Sequence, residues 1–370
     1  MVSTTNAAVA RSIHGPFEFE ELVLDEPRAG EVRVRMVATG VCHTDMAVLD
    51  GWIPTAFPIV LGHEGAGVIE QVGEGVDHLS PGDHVILSFA SCGECVECLN
   101  GDIAYCDNSY IKNFAGGRAD GSRSLSTSVG ESVNSHFFGQ SSFATSANVG
   151  VSSVVKVPDD IPLEILAPLG CGIQTGAGCV LNVLKPRYDS SLVVYGAGAV
   201  GMAAIMAARV ARVRTIVAVD VVDERLELAR ELGATHTINP KKVAGAAVLS
   251  DITGGVGVNY AIDTTGNPQV VDGMLQALAH RGHAILLAAA NPEARTPLNL
   301  SLAVAQAIRV TCIVEGGAVP QLFIPYLIEL YRAGDFPFDK LIAHYPFSDI
   351  SRAFTDSEEG RTVKPVLTFA

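Results

Sequence analysis

Beyond about residue 172 the chain alternates short apolar runs with helical segments, and one junction between them carries a glycine fingerprint. Leu192-Val193-Val194-Tyr195 reads as a buried strand. Gly196-Ala197-Gly198-Ala199-Val200-Gly201 then matches G-x-G-x-x-G, and a helical pattern runs on through Arg209. A second apolar strand over residues 215–220 ends on Asp220, 19 positions past Gly201. Residues 223–232 place Leu226, Ala229 and Leu232 on one helical face, with Gly233 just beyond. Further apolar strands fall at 258–263 and 284–287. Such alternation predicts an α/β domain with a doubly wound parallel sheet covered on both faces. In this context Gly196 makes the turn, Gly198 lets backbone approach a pyrophosphate at the helix N-terminus, and Gly201 permits close helix–strand packing. Asp220 would bind the adenosine ribose and repel a 2′-phosphate, which favours NAD over NADP. Arg225, five residues on, is the competing feature, because an arginine there can serve a phosphate.

The first 170 residues carry a different period. Residues 31–37 alternate polar and apolar, and 67–72 and 84–87 are similar, with Pro81-Gly82-Asp83 as a turn between the last two. This half is expected to be mostly β, with the Gly- and Ser-rich residues 116–135 as loop. Within it stand Cys92-Gly-Glu-Cys95-Val-Glu-Cys98 and Cys106. Four thiolates so close suit the closed, tetrahedral site of a structural zinc. Disulfides are the alternative. With no export signal in view, such pairs favour metal.

The balance of 40 acidic against 25 basic residues gives a net charge of −15, which opposes nucleic-acid or anionic-membrane binding over the general surface. The first residues lack a basic stretch leading into an apolar core. The uncharged residues 190–208 approach the length of a membrane span but are interrupted by the three glycines. A cytoplasmic protein is the expectation.

Cys42-His43-Thr44-Asp45, Gly62-His63-Glu64 and Gly170-Cys171-Gly172, taken with the cysteine loop, the glycine fingerprint and the C-terminal Val-Leu-Thr-Phe, resemble the zinc-dependent medium-chain alcohol dehydrogenases over nearly the whole chain. The resemblance implies a mostly-β GroES-like catalytic domain over 1–171 with its structural zinc loop at 92–106. It implies a Rossmann NAD-binding domain over 172–314 and a segment 315–370 returning to the catalytic domain. It makes Cys42, His63 and Cys171 ligands of a catalytic zinc with an open fourth position, and Cys92, Cys95, Cys98 and Cys106 ligands of the structural one. Glu64 would lie behind the metal, Asp45 would orient His63, and Thr44 would take the alcohol proton. Two departures stand out: Ala47 replaces a relay histidine, and His43 occupies a position where many relatives carry an arginine against the pyrophosphate. Cys179 and Cys312 read as core.

The same resemblance lines the substrate pocket with Thr44, Trp52 or Ile53, Phe89, Phe137 and Phe138, and residues 136–143 look like the benzyl (aryl) alcohol dehydrogenases. The implied reaction is oxidation of primary aromatic or allylic alcohols to aldehydes by a homodimer or homotetramer. The nearest rival is the glutathione-dependent formaldehyde dehydrogenase type, which relies on an arginine after the structural cysteines; Tyr110 stands there, with Lys112 and Arg118 nearby. A rival of another class is a non-catalytic zinc-ribbon or NAD-binding protein. The cysteine loop speaks against a nucleic-acid ribbon, since it carries Glu94, Glu97, Asp102 and Asp107.

Overall fold

The computed structural model describes residues 3–369. Met1, Val2 and Ala370, at the ends of the expected domains, lie outside the described residues. Two compact units result: one of Met1–Cys171, Val319–Leu327 and Asp339–Ala370, the other of Gly172–Ala318 and Ile328–Phe338. The chain past residue 314 is thus shared, where the sequence led us to expect one returning segment. The helix Pro320–Arg332 carries the crossing in its middle, where no shift of composition marks it.

Among the described residues the first unit holds a five-stranded and a seven-stranded sheet. The larger is built around Glu31–Gly40, which pairs antiparallel with Gly65–Val72, Ser146–Gly150 and Lys364–Thr368. That central position explains why Val32, Val34, Met36 and Ala38 are all buried while Arg35 faces out. The smaller sheet pairs Ser3–Ala10 with Phe17–Leu24 and with Ile59–Val60. Its core includes Leu22, Ile59, Phe137, Phe143 and Phe354. Residues 116–135 are not wholly loop. Leu125–Ser126 and Ser132–Val133 pair at the edge of this sheet, and two-residue strands are too short to show a period.

The second unit carries six strands in the order His236–Ile238, Thr215–Val219, Ser191–Tyr195, Val258–Asp263, Leu278–Leu286, Arg309–Cys312, all parallel. Numbered along the chain this is 3-2-1-4-5-6, the Rossmann order. Val193, Val194, Val217 and Ile262 are fully buried, as strands covered on both faces require. The helix Ala199–Val210 is buried from Gly201 to Ala208, hence its small side chains. The helix Asp223–Leu232 buries only Leu226, Ala229 and Leu232 and ends on Gly233. No single helix among the described residues is long and apolar enough to cross a membrane.

Candidate functional site

The strand Glu31–Gly40 delivers the chain to Cys42, which opens the short helix His43–Leu49. Asp45, fully buried in the first turn, accepts from the Cys42 backbone N–H (3.1 Å) through one oxygen. Its other oxygen accepts from Gly62 N (3.1 Å) and from His63 Nδ1 (3.0 Å). A single carboxylate thereby fixes two chain segments and the tautomer of His63, and the lone pair on Nε2 is left for another partner. That atom is buried and makes no hydrogen bond among the described residues. Gly62 sits at φ +86°, where an added Cβ would strike Phe143 N at 2.6 Å, so the approach to His63 needs glycine.

One ligand atom each from Cys42, His63, Glu64 and Cys171 lies within 4.8 Å of the others. Thr44 Oγ1 is 3.8 Å from Cys42 Sγ. Hydrogen bonding from Cys171, against the cost of burial, holds the Cys42 thiol well below its ordinary range, and His63 adds to the effect. Burial opposes charge on His63, yet the Asp45 carboxylate and Cys42 raise its pKa. Two sulfur donors, Cys171 buried and Cys42 half-buried, with an orphaned imidazole nitrogen are the chemistry of a cation site. Two thiolates and an imidazole are the protein ligands that suit a catalytic zinc.

Within this cluster Glu64 is fully buried, and burial pushes its carboxyl up to about 7 although Lys364 pulls the other way. Lys364 Nζ lies 2.5 Å from Glu64 Oε2 and donates to the Val41 carbonyl (3.0 Å). Lys364 went unnoticed in the sequence, where the only signal is one cation opening an apolar strand. Gln140 was missed too. Buried, it donates to the His63 carbonyl (2.9 Å) and the Ser88 carbonyl (3.1 Å) and accepts from Gly65 N (3.0 Å), bracketing the ligand segment.

Phe138 stacks on the His63 ring (centroids 4.5 Å, 26°), and Phe137 meets it edge-on (5.5 Å). Phe114 packs on both phenylalanines, and Phe89 lies in the same core. His136, Phe138 and Ser141 all hold left-handed backbone, at φ +60°, +52° and +60°. Such strain persists only where surrounding contacts over-determine it, and here it aims Phe138 at the imidazole. His43 stays outside the cysteine cluster, exposed, with its ring edge toward Trp52 (6.1 Å). Arg118 is locked elsewhere: its guanidinium, 8% exposed, makes paired bonds to Asp25 (2.8 and 3.0 Å) and Glu31 (2.7 and 2.9 Å).

Cys92, Cys95, Cys98 and Cys106 form a second cluster, again within 4.8 Å, and none is in a disulfide. Backbone amides point at the sulfurs, among them Cys92 N to Cys106 Sγ (3.3 Å) and Cys95 N to Cys92 Sγ (3.4 Å). Hydrogen bonds from the Glu94 and Cys95 amides bring Cys92 down to about 6, whereas burial sends Cys98 up to about 12. The donor set of four close sulfurs fits zinc. Cys179 is fully buried, but Cys312 is exposed on an edge strand, so its apolar neighbours in sequence do not make it core.

In the second unit Gly196 turns at φ +92°, and a Cβ on Gly201 would meet Gly196 O at 1.9 Å. A Cβ on Gly198 would meet nothing within 4 Å, the open space a pyrophosphate needs. Asp220 follows its strand and accepts from Ala197 N (2.7 Å) and Val222 N (2.9 Å), so it braces the turn. Among the described residues Arg225 Nε is buried without a hydrogen bond, and Arg225 forms no ion pair with Asp220.

Residues 28–159 match the family model for the alcohol dehydrogenase GroES-like domain, and residues 199–331 match that for the zinc-binding dehydrogenase. A geraniol dehydrogenase of Castellaniella defragrans is 42% identical, over 99% of this chain and 98% of its own. The crystal structure of a benzyl alcohol dehydrogenase from Acinetobacter calcoaceticus superposes with TM-score 0.96 at 43% identity, covering 100% of both chains. That of an alcohol dehydrogenase zinc-binding domain protein from Burkholderia ambifaria does so with TM-score 0.97 at 47% identity, again over 100% of both.

Proposed function

This chain belongs to the zinc-dependent medium-chain alcohol dehydrogenase family, and from that premise we propose that it oxidises primary aromatic or allylic alcohols to aldehydes with NAD. The stacking of Phe138 on His63, with Phe137 meeting the same ring edge-on, carries this reading, since it puts apolar aromatic surface against a metal ligand. Two relatives named for benzyl alcohol and for geraniol, an allylic primary alcohol, support it. Cys42, His63 and Cys171 would hold the catalytic zinc, and Cys92, Cys95, Cys98 and Cys106 the structural one. Bound at the first site, zinc supplies Lewis acidity to the substrate oxygen, and NAD supplies the hydride acceptor. Asp45 keeps the His63 lone pair aimed, and Glu64 with Lys364 closes the buried side of the cluster. Thr44 would take the alcohol proton and pass it toward the nicotinamide ribose. Ala47 offers no imidazole at that position to continue the relay.

The glutathione-type reading loses one of the two nearby cations, because Arg118 is already paired with two carboxylates, and keeps only Lys112. A kinetic comparison of benzyl alcohol with S-hydroxymethylglutathione, with NAD in excess, tests this; a preference for the adduct would reverse the assignment. Two further outcomes are expected. Asp45→Asn should lower zinc affinity at the catalytic cluster about 10- to 100-fold, measured by competition with a chromophoric chelator. Asp220→Ala should weaken NAD binding and narrow the NAD/NADP ratio of kcat/KM, because the carboxylate both braces the turn and repels a 2′-phosphate. Comparable kcat/KM for the two cofactors in the unaltered protein would contradict the NAD assignment.

A further inference from the structure

The Rossmann sheet has a second end, and it is cationic. A cavity of about 320 Å3 is lined there by Arg187, His280, Arg281 and Arg309, with Asn259 and Tyr260. The nucleotide turn follows the C-terminal end of Ser191–Tyr195, whereas Asn259 and Tyr260 lie at the start of Val258–Asp263 and Arg309 opens Arg309–Cys312. The cavity and the nucleotide turn therefore sit at opposite ends of one sheet.

The local backbone is shaped toward the cavity. Pairing jumps from Val258↔Leu278 to Tyr260↔His283, so one strand advances five positions (278 to 283) against two (258 to 260) on its neighbour. The excess is a bulge that lifts His280 and Arg281 out of the ladder. Arg281 holds φ +59°, a left-handed conformation that glycine adopts freely and arginine does not. Beside the bulge, Tyr260, His283 and Arg309 stand in register on three adjacent strands. His283 is held by Thr311 (2.8 Å), and burial, with Arg309 beside it, lowers its pKa. Arg187 pairs with Asp189 (3.1 Å), but neither Arg281 nor Arg309 forms an ion pair among the described residues. Asn259 Oδ1 is taken by Ser191 (2.9 and 3.2 Å), which leaves its amide as a donor. In a chain of net charge −15, this concentration of unneutralised guanidinium groups is a local reversal of the field.

We propose that this cavity binds a small phosphate-bearing anion, a phosphate monoester or diphosphate, at a site separate from the nucleotide turn. Guanidinium forks match phosphate oxygens bidentately, and a phosphate offers three terminal oxygens to converging donors where a carboxylate offers two. The volume lies at the small end of ligand pockets. The test is calorimetric titration of the zinc-loaded, NAD-saturated protein with inorganic pyrophosphate, and separately with citrate at matched ionic strength; saturating NAD keeps pyrophosphate off the nucleotide turn. One saturable pyrophosphate site per chain is expected, about tenfold or more tighter than citrate, and weakened about tenfold by Arg309→Gln or Arg281→Gly. Arg281→Gly should melt no lower than the parent and turn over at the same rate, since glycine suits that backbone. Heats that do not saturate, citrate bound equally well, or an affinity indifferent to both substitutions would overturn the proposal.

Discussion

Cys171→Ala is expected to leave a folded protein holding one zinc instead of two and to lower turnover about a thousand-fold or more. The reasoning is electrostatic. A metal that polarises the substrate oxygen is worth several kcal/mol in the transition state, and about 4 kcal/mol is a thousand-fold in rate. Cys171 supplies the buried one of the two sulfurs, and the fixed imidazole of His63 does not replace it. The contrasting substitution is Cys95→Ala. It should also cost one zinc, but its effect should fall on stability, because structural metal binding is coupled to folding. Metal analysis with thermal unfolding separates the two. A parent protein with one zinc or none per chain, after controls for loss, would contradict the assignment of both clusters.

Benzyl or cinnamyl alcohol should be turned over with far higher kcat/KM than ethanol. An aromatic substrate that buries ~100 Å2 more apolar surface gains roughly 2.5 kcal/mol, or ~70-fold, if the gain is realised in the transition state. Ring-to-ring contacts can add about 0.5–1.5 kcal/mol. Phe138→Ala should narrow the ratio by costing the larger alcohol more than the smaller. Because Phe138 also stacks on a metal ligand, zinc content must be measured alongside; a narrowed ratio at full zinc isolates the pocket effect. A preference for ethanol would show the aromatic wall to be core packing alone.

Much of this protein was legible in the amino-acid order because the relevant constraints are local. Gly196, Gly198 and Gly201 answer to steric demands within one turn, the helix Asp223–Leu232 follows from its own period, and the cysteines at 92–106 come together over a few residues. Cys42, His63 and Cys171 are far apart in sequence; only their resemblance to a family's motifs linked them before the fold brought their ligand atoms within 4.8 Å. What tertiary structure alone decided is which polar groups are buried together. Lys364 reaches Glu64 across 300 residues, Gln140 brackets His63, and Arg118 is consumed by Asp25 and Glu31. None of these has a periodic signal, because a buried ion pair or amide bracket is selected by desolvation, and desolvation depends on every neighbour the fold supplies. Exposure of Cys312 has the same cause. Its sequence neighbours are apolar, but the place of its strand at the edge of the sheet was settled by the order in which six strands pair.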